Sequence, residues 1–180
     1  MMTYTWLDGA EARQQLTSLS DLLQACVADG ASIGFTDAQD RAVIERIWQD
    51  RAALLSSGQN ELLVAWQPDA VVGCVMIHAA SMPNGRHRAE ISKLLVHPRA
   101  RRQGIARQLM QQAETRTQAL GKRLLVLDTR SGNVASLLYR SFGWQTAGSI
   151  PAYAESVTGE LEATTVMFKP LAVSLDQGLA

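Results

Sequence analysis

Apolar and polar residues alternate with two different periodicities along this chain of 180 residues. In the first third, apolar residues recur every three or four positions over residues 11–28 and again over residues 37–56. That spacing predicts two amphipathic helices, the second with Asp37 as its N-cap. A short strand is predicted ahead of them at Thr3–Leu7. The chain therefore begins with a strand and a helical layer.

The second periodicity is typical of β-strands, and predicted strands predominate from residue 61 onward. Three β-rich runs with tight connections, at residues 61–67, 70–80 and 87–96, predict an antiparallel meander. A helix at 103–120, an apolar strand at 124–129, a helix at 134–142 and strands from 144 and over 164–169 follow. The strand–helix–strand unit of residues 89–129 predicts two parallel strands with a right-handed crossover. We therefore expect an α/β (α+β) fold with one mixed sheet and a single domain over residues 1–180.

Composition narrows the function classes. Lys and Arg total 17, as do Asp and Glu, so no overall charge favours nucleic acid or an anionic membrane as a partner. The two cysteines lie in apolar surroundings and predict buried thiols of a reducing compartment. No leader and no apolar run of about 20 residues is recognised, which predicts a cytoplasmic protein. The three histidines share no ligand spacing, so no metal is expected.

The densest chemical signal is residues 94–110, where a strand ends in a short basic loop and a helix starts at once. The first-turn amides of a helix lack partners and carry partial positive charge. Gly104 would let an anion approach that backbone, and Arg99, Arg101 and Arg102 supply local positive charge. This pattern predicts a pyrophosphate site. Neither a G-x-x-x-x-G-K-[ST] loop nor a G-x-G-x-x-G turn is present, which disfavours a nucleotide site of those kinds.

The order Arg101-x-x-Gly104-x-Ala106, after a strand that ends a meander, resembles the GNAT superfamily of acetyl-CoA-dependent N-acyltransferases. Asn133 and Tyr139, followed by Gly143-Trp144, match two further family positions. The resemblance implies a central, bent, mixed sheet flanked by helices on both sides, two on each. It implies that Asn133 binds the pantetheine arm and that Tyr139 protonates the departing thiolate. The alternatives are that Asn133 is a helix N-cap and that Tyr139 is a core tyrosine of an amphipathic helix. The residues expected to bind acetyl-CoA are Leu94, Leu95, Val96, Arg101, Arg102, Gln103, Gly104, Ile105, Ala106, Asn133 and Tyr139.

Several strings also look like the tabtoxin-resistance acetyltransferases, which are GNAT enzymes that acetylate a small amino-acid-like toxin. They include Pro83-Asn-Gly85, the run Arg88-Ala-Glu-Ile-Ser-Lys-Leu94 and the run Leu124-Leu-Val-Leu-Asp-Thr129. Two departures stand out: Ala106 occupies a position that is usually Gly, and residues 151–163 are only distantly alike. The likeness implies a small polar acceptor with a primary amine.

Amine acetylation needs a base, and two carboxylates interrupt apolar strands. Glu90 and Asp128 would face one groove if their strands are adjacent, and burial would raise their pKa toward useful values. The alternative is that each is a solvated strand end or a structural acid that only accepts hydrogen bonds. Phe35 and Tyr153 are candidate acceptor-binding residues, together with Trp66, although four tryptophans in a chain of this size are mostly core or rim residues.

The sequence thus favours direct transfer of acetyl from acetyl-CoA to a small amine, with a backbone N–H near Leu95 stabilising the oxyanion. A protein lysine or N-terminal amine is the alternative acceptor. An acyl-CoA-binding module without catalysis and a nucleotide-binding protein are the remaining rivals. The expected partners are the amine, acetyl-CoA and, as a further hypothesis, a second copy of the chain in a homodimer.

Overall fold

The computed structural model describes residues 1–31 and 33–172 of the chain. Seven strands and five α-helices account for most of them, with short 3₁₀ turns at Pro83–Gly85 and Pro98–Ala100. The elements in chain order are β1 Thr3–Leu7, α1 Gly9–Gln14, α2 Leu16–Ala28, α3 Arg41–Ser56, β2 Asn60–Gln67, β3 Ala70–Ala79, β4 Arg88–Val96, α4 Ile105–Ala119, β5 Leu124–Arg130, α5 Ala135–Ser141, β6 Gln145–Glu155 and β7 Leu161–Pro170.

All seven strands form one mixed sheet in the order β1-β2-β3-β4-β5-β7-β6. The meander β2–β3–β4 is antiparallel, as predicted, and β4 and β5 are parallel across α4. The remaining pairs are antiparallel. This arrangement confirms the predicted mixed sheet, and its central parallel pair positions the site described below.

Two hydrophobic cores cover the two faces of the sheet. One core packs α1, α2 and α3 against one face, and the other packs α4 and Tyr139 of α5 against the opposite face. Alternation along the strands explains the division, because successive side chains point to opposite faces. On β5, Leu125 and Leu127 enter the α4–α5 core. Asp128, which follows Leu127 directly, therefore belongs to the α1–α3 face.

The parallel pair β4–β5 separates soon after it forms. Its register runs from Arg88–Leu124 to Glu90–Val126 and stops there. Beyond this point β4 carries an irregularity against β3, and Lys93 adopts φ 51°. A bulge of this kind bends a strand and increases its twist. The two strands therefore diverge, which opens the centre of the sheet.

Two local predictions about the helices were wrong. The first helix is divided at Gln15 into α1 and α2, so the α1–α3 face carries three helices. Asp8 begins α1 with a capping box to Glu11 that sequence periodicity did not reveal. Asp37 is not the cap of α3: its carboxylate accepts from the amide of Gln39, and Asp40 caps the helix instead.

The last strand begins at Leu161, three residues before its predicted start. It pairs with β6, which is the edge of the sheet and includes Pro151 and an irregular register near Ala152. Proline is tolerated on an edge strand because no neighbour needs its missing N–H. Both strands were predicted, and the exposed, partly polar start of β7 explains why its first residue was placed too late.

Candidate functional site

A groove of about 570 Å³ lies where β4 and β5 diverge, and it continues to the start of α4. Its walls come from β4, the loop before α4, the first turn of α4, the end of β5 and one side of α5. Of the residues expected to bind the cofactor, those that line it are Leu94, Leu95, Val96, Arg101, Arg102, Gly104, Ile105, Ala106, Asn133 and Tyr139. The structure thus brings nearly the whole expected set into one groove.

The start of α4 has the form of an anion cradle. Gly104 is its N-cap with φ 77°, a conformation that glycine adopts without strain. A Cβ placed on Gly104 would meet no atom within 4 Å, so the space above this backbone is open. The first-turn amides, including those of Ile105 and Ala106, have no acceptor within the helix. A diphosphate fits this surface, because the backbone supplies the donors and the helix dipole supplies partial positive charge.

The basic residues of the loop before α4 differ in their contacts. Arg101 forms an ion pair of 2.6 Å with Asp29, so its guanidinium is already bound by a carboxylate. Arg102 is exposed and has φ 62°, which shapes the turn before Gly104. Gln103 does not line the groove, and its side-chain oxygen lies 3.5 Å from Nε2 of Gln67. Arg107, which sequence reasoning missed, lines the groove and stacks over Phe142.

The register of β4 identifies which backbone amide faces the groove. The amide of His97 donates to the carbonyl of Val72 at 2.8 Å, and Leu95 lies opposite Cys74. Hydrogen-bonded pairs recur at every second residue of an antiparallel ladder, so the amide of Leu95 is directed toward β3. The amide of Val96 is directed the opposite way, toward the gap where β4 and β5 diverge. The oxyanion donor expected near Leu95 is therefore better sought at Val96.

A second cavity, also of about 570 Å³, opens on the α1–α3 face of the sheet. It contains the acidic and basic side chains of the region, namely Arg51, Glu90, Lys93, Asp128, Arg130 and Glu162, together with His78 and Tyr153. We call it the acceptor cavity and the first one the donor groove. Ile91, Ser92, Lys93, Asp128 and Thr129 line both, as does Ile33. The two cavities therefore meet through the gap between β4 and β5.

Glu90 and Asp128 both line the acceptor cavity, and Asp128 also lines the donor groove, at the junction of the two. Burial and the neighbouring charge of Asp128 raise the pKa of Glu90, and the positive charges of Arg51 and Lys93 oppose that rise. Asp128 accepts a hydrogen bond of 2.8 Å from the hydroxyl of Thr164, which fixes its carboxylate. Both carboxylates face one cavity, as predicted, and both are exposed, as the alternative of solvated strand ends predicted.

Tyr139 approaches the junction from the other side of the sheet. Its side chain is 7% exposed, lies against Trp144 with ring centroids 6.0 Å apart, and lines the donor groove. Burial, with a smaller contribution from Asp128, raises the pKa of Tyr139 to about 12. The hydroxyl is therefore fully protonated near neutral pH. Asn133 lines the same groove, where its side-chain oxygen accepts from the amide of Ala135 at the start of α5.

The expected acceptor-binding residues separate in the structure. Tyr153 of β6 lines the acceptor cavity and is half exposed. Phe35 is 8% exposed in the α1–α3 core, outside the lining of either cavity, with Nζ of Lys93 5.7 Å from its ring centroid. Trp66 packs against that same core from β2.

Sequence reasoning missed three residues of the acceptor cavity. Lys93 is largely buried and donates from Nζ to the carbonyl of Ile33 at 2.8 Å. His78 lies opposite Glu90 on the neighbouring strand and hydrogen-bonds the hydroxyl of Ser92. Arg51 reaches the cavity from α3. A charged residue inside the apolar run Ile91–Leu95 was the available signal for Lys93, whereas nothing in the sequence distinguishes Arg51.

Across residues 1–31 and 33–172 no cluster of three or more His, Cys, Asp or Glu side chains is arranged to hold a metal ion. Both cysteines are buried free thiols, as predicted. Within the same residues, none of the helices has the length and apolar character needed to cross a membrane.

Comparison with known proteins agrees with this geometry. Residues 19–144 match the model of the acetyltransferase (GNAT) family. That range holds β4, α4 and most of the donor groove, so the family match covers the part of the chain that carries the phosphate cradle.

Three solved structures share the fold at low sequence identity. The yncA protein of Salmonella typhimurium, solved with its cofactor acetyl-CoA, is 21% identical over 100% of this chain and 99% of its own, with a TM-score of 0.77. An N-acetyltransferase of Staphylococcus aureus is 18% identical over 96% and 99%, with a TM-score of 0.80. The ribosomal-protein-S18-alanine N-acetyltransferase of Escherichia coli is 17% identical over all of both chains, with a TM-score of 0.74. The family match spans more than half of the residues, and the strand order and the cradle at the start of α4 agree with it. This chain therefore belongs to the acetyltransferase (GNAT) family, whose enzymes use acetyl-CoA as cosubstrate.

Proposed function

We propose that this protein transfers the acetyl group of acetyl-CoA directly to the primary amine of a small, polar, amino-acid-like acceptor. One observation carries the proposal: the donor groove and the acceptor cavity meet at the gap between β4 and β5, where Asp128 and Ser92 line both. An amine on the α1–α3 face can therefore approach a thioester held on the other side. The cavity volume of about 570 Å³ is typical of small-molecule sites.

In the donor groove, the amides at the start of α4 would hold the diphosphate. The apolar walls between Val96 and Leu138 suit the pantetheine arm, and the thioester would lie near the junction. Acetyl-CoA supplies an activated carbonyl carbon and a thiolate leaving group. The backbone amide of Val96 is available to donate to the carbonyl oxygen as negative charge develops there.

Glu90 and Asp128 are proposed to remove a proton from the acceptor, directly or through water, since an ammonium has no lone pair. The nitrogen then forms a bond to the carbonyl carbon, and the carbon–sulfur bond breaks. Tyr139 donates a proton to the leaving sulfur from the opposite face. The ammonium loses two protons in all. One of them restores the hydroxyl of Tyr139 after it has protonated the thiolate, and the other passes to solvent.

The small acceptor is favoured by the cavity and by the sequence resemblance to the tabtoxin-resistance acetyltransferases. The alternative, a lysine or N-terminal amine of a protein, is favoured by the fold shared with the enzyme that acetylates an alanine of ribosomal protein S18. A cytoplasmic location and a homodimer remain part of the proposal, supported by the buried free thiols for the first and by the unpaired edge of β6 for the second.

The test is a screen of small amines and of short peptides with acetyl-CoA, read by release of free thiol and by mass spectrometry of the acetylated product. We expect acetylation of one or more small polar amines. Acetylation of peptides alone would favour the alternative acceptor. Binding of acetyl-CoA without transfer to either class would instead favour a non-catalytic acyl-CoA-binding module.

A further inference from the structure

Most of the described charged side chains of the acceptor cavity form no ion pair, although Arg51 and Lys93 are half-buried; Glu90 and Asp128 are exposed. Among the described residues that line it, the cations are Arg51, Lys93 and Arg130, and the carboxylates are Glu90, Asp128 and Glu162. One ion pair joins members of the two sets, between Arg130 and Glu162 at 3.4 Å. The other four groups form no ion pair with one another across residues 1–31 and 33–172.

Of these four groups, Arg51 gives the clearest indication that the cavity binds an anion. It lies in the C-terminal half of α3, is half-buried and faces the cavity. Within the described part of the chain, its guanidinium has no carboxylate within 4.0 Å. A partly desolvated arginine normally gains a carboxylate or phosphate partner, since its planar fork matches both in two parallel hydrogen bonds.

Lys93 reinforces this positive side of the cavity. Its Nζ donates to the carbonyl of Ile33, a neutral acceptor, and forms no ion pair within the described residues, although the charges of Asp128 and Glu90 act to raise its pKa. Burial, followed by the charge of Arg51, lowers the pKa of Lys93, which means that the two cations destabilise each other. An anion between them would relieve that repulsion.

The cavity therefore contains two cations, Arg51 and Lys93, that influence the pKa of Glu90 but form no ion pair with Glu90 or Asp128 within the described residues. Arg51 does not line the donor groove, so its partner is not the diphosphate at the start of α4. We propose that Arg51, assisted by Lys93, binds a carboxylate of the acceptor and so makes this enzyme selective for amines that carry an anionic group. This inference rests on the proposed acetyl transfer and adds its substrate class.

The direct test compares matched acceptors. Glycine, L-alanine, L-methionine and L-lysine are each paired with their carboxamide, which keeps the amine and the size but removes the negative charge. Thiol release is measured with wild type, Arg51→Gln, Arg51→Lys and the control Arg46→Gln, which alters an exposed arginine of the same helix. Acetyl-CoA affinity is measured on each protein by calorimetry.

We expect the accepted amines to be carboxylates, with kcat/KM higher than for their carboxamides by roughly 10- to 100-fold, the range for a hydrogen bond to a charged group. Arg51→Gln should remove that preference mainly through KM, Arg51→Lys should restore part of it, and Arg46→Gln should change neither. Acetyl-CoA affinity should be the same in all four proteins. Equal use of carboxylates and carboxamides, or an equal loss for both in Arg51→Gln, would overturn the inference while leaving acetyl transfer intact.

A binding measurement keeps the inference testable if none of these amines is acetylated, an outcome that would count against the proposed function. The protein saturated with coenzyme A is titrated with N-acetylglycine, N-acetyl-L-methionine and their carboxamides. Binding of the carboxylates that is weakened at least about tenfold in Arg51→Gln would support the anion site without any turnover. Failure of every carboxylate to bind at millimolar concentration, or binding indifferent to Arg51, would refute it.

Discussion

The donor groove and the acceptor cavity have the same volume but are built in different ways. The donor groove offers backbone groups of one continuous segment, from Leu94 to Arg107, for the diphosphate, and a few side chains such as Asn133 and Tyr139 complete it. The acceptor cavity takes its polar contacts from side chains on α3, β3, β4, β5 and β7 that the fold brings together. A backbone site is constrained mainly by chain geometry, whereas a side-chain site changes with single substitutions. Donor chemistry can therefore stay constant while the acceptor changes.

The largest expected effect lies at the junction of the two, in Tyr139→Phe. The variant keeps the ring against Trp144 and removes the proposed proton donor, so kcat should fall roughly 10²-fold. The melting temperature should change little, because the hydroxyl has no hydrogen-bond partner in the described residues. Rate and melting temperature are measured on one preparation, with Tyr4→Phe on β1 as the control. An active but destabilised variant would end the acid hypothesis.

The pH dependence follows from the same residue. With the pKa of Tyr139 raised to about 12, the proton donor is retained as pH rises. Any alkaline decline of kcat well below that value should therefore persist unchanged in Tyr139→Phe.

Glu90→Gln and Asp128→Asn come next and test the proposed base. Each should lower kcat by about 10- to 100-fold with unchanged acetyl-CoA affinity, and the double variant should lose less than the product of the two. The charge of Asp128 raises the pKa of Glu90, so Asp128→Asn should move the acid limb of the kcat profile to lower pH. Full turnover in both single variants would place the base elsewhere.

A smaller effect separates the donor groove from the rest. Gly104→Val should weaken acetyl-CoA binding by about tenfold or more, on the order of 1.4 kcal/mol, because its side chain would occupy the space expected for the diphosphate. Gly121→Val is a close control, since Gly121 has φ 73°, follows the other end of α4 and is equally open. Both variants should lose similar stability from the strained backbone. Calorimetry that finds acetyl-CoA affinity unchanged in Gly104→Val would refute the cradle.

The smallest expected effect concerns stability on the acceptor side. Burial, with the charges of Arg51 and Lys93, lowers the pKa of His78 to about 4 from an ordinary 6.5. The unfolded chain therefore takes up a proton between these values, so the free energy of unfolding falls as pH falls through that window and is unaffected by His78 above it. We expect a contribution of roughly 1–2 kcal/mol after solvent screening is allowed for.

Urea unfolding of wild type and His78→Gln at about pH 7.5 and about pH 5 measures this contribution. The variant should lose less stability between the two pH values than wild type does, and the exposed His87→Gln should behave as wild type. Identical pH dependence in His78→Gln would mean that the imidazole is hydrated in solution.

The contrast between the cavities also explains what the sequence could predict. Gly104 and the loop before it are adjacent in the chain, so their spacing alone indicates an anion site. Asp128 and Glu90 were found because a carboxylate inside an apolar strand is unusual. Arg51 looks like any solvated arginine on an amphipathic helix, and only the tertiary fold brings it to Lys93.

Local competition accounts for the errors in the elements. Asp37 and Asp40 are both good N-caps, and the choice between them depends on where α3 packs, which periodicity does not resolve to within three residues. The strand β7 was predicted too short because its first residues pair with an exposed edge strand and so need not alternate in hydrophobicity. The strict apolar pattern of a covered strand is absent there.

The separation of β4 from β5 after Glu90 has a consequence for the lifetime of the protein. Past this point the described residues of β4 and β5 are not hydrogen-bonded to each other, and we call the gap between them the seam. Amides that face it, such as that of Val96, should exchange their hydrogens rapidly when no ligand fills it. A ligand chain lying in the seam takes the place of a missing strand, and at 100 times its Kd it would add about 2.7 kcal/mol to the free energy of unfolding. Protease resistance should then rise and fall with the supply of acetyl donor, which couples the abundance of this enzyme to the metabolite it consumes.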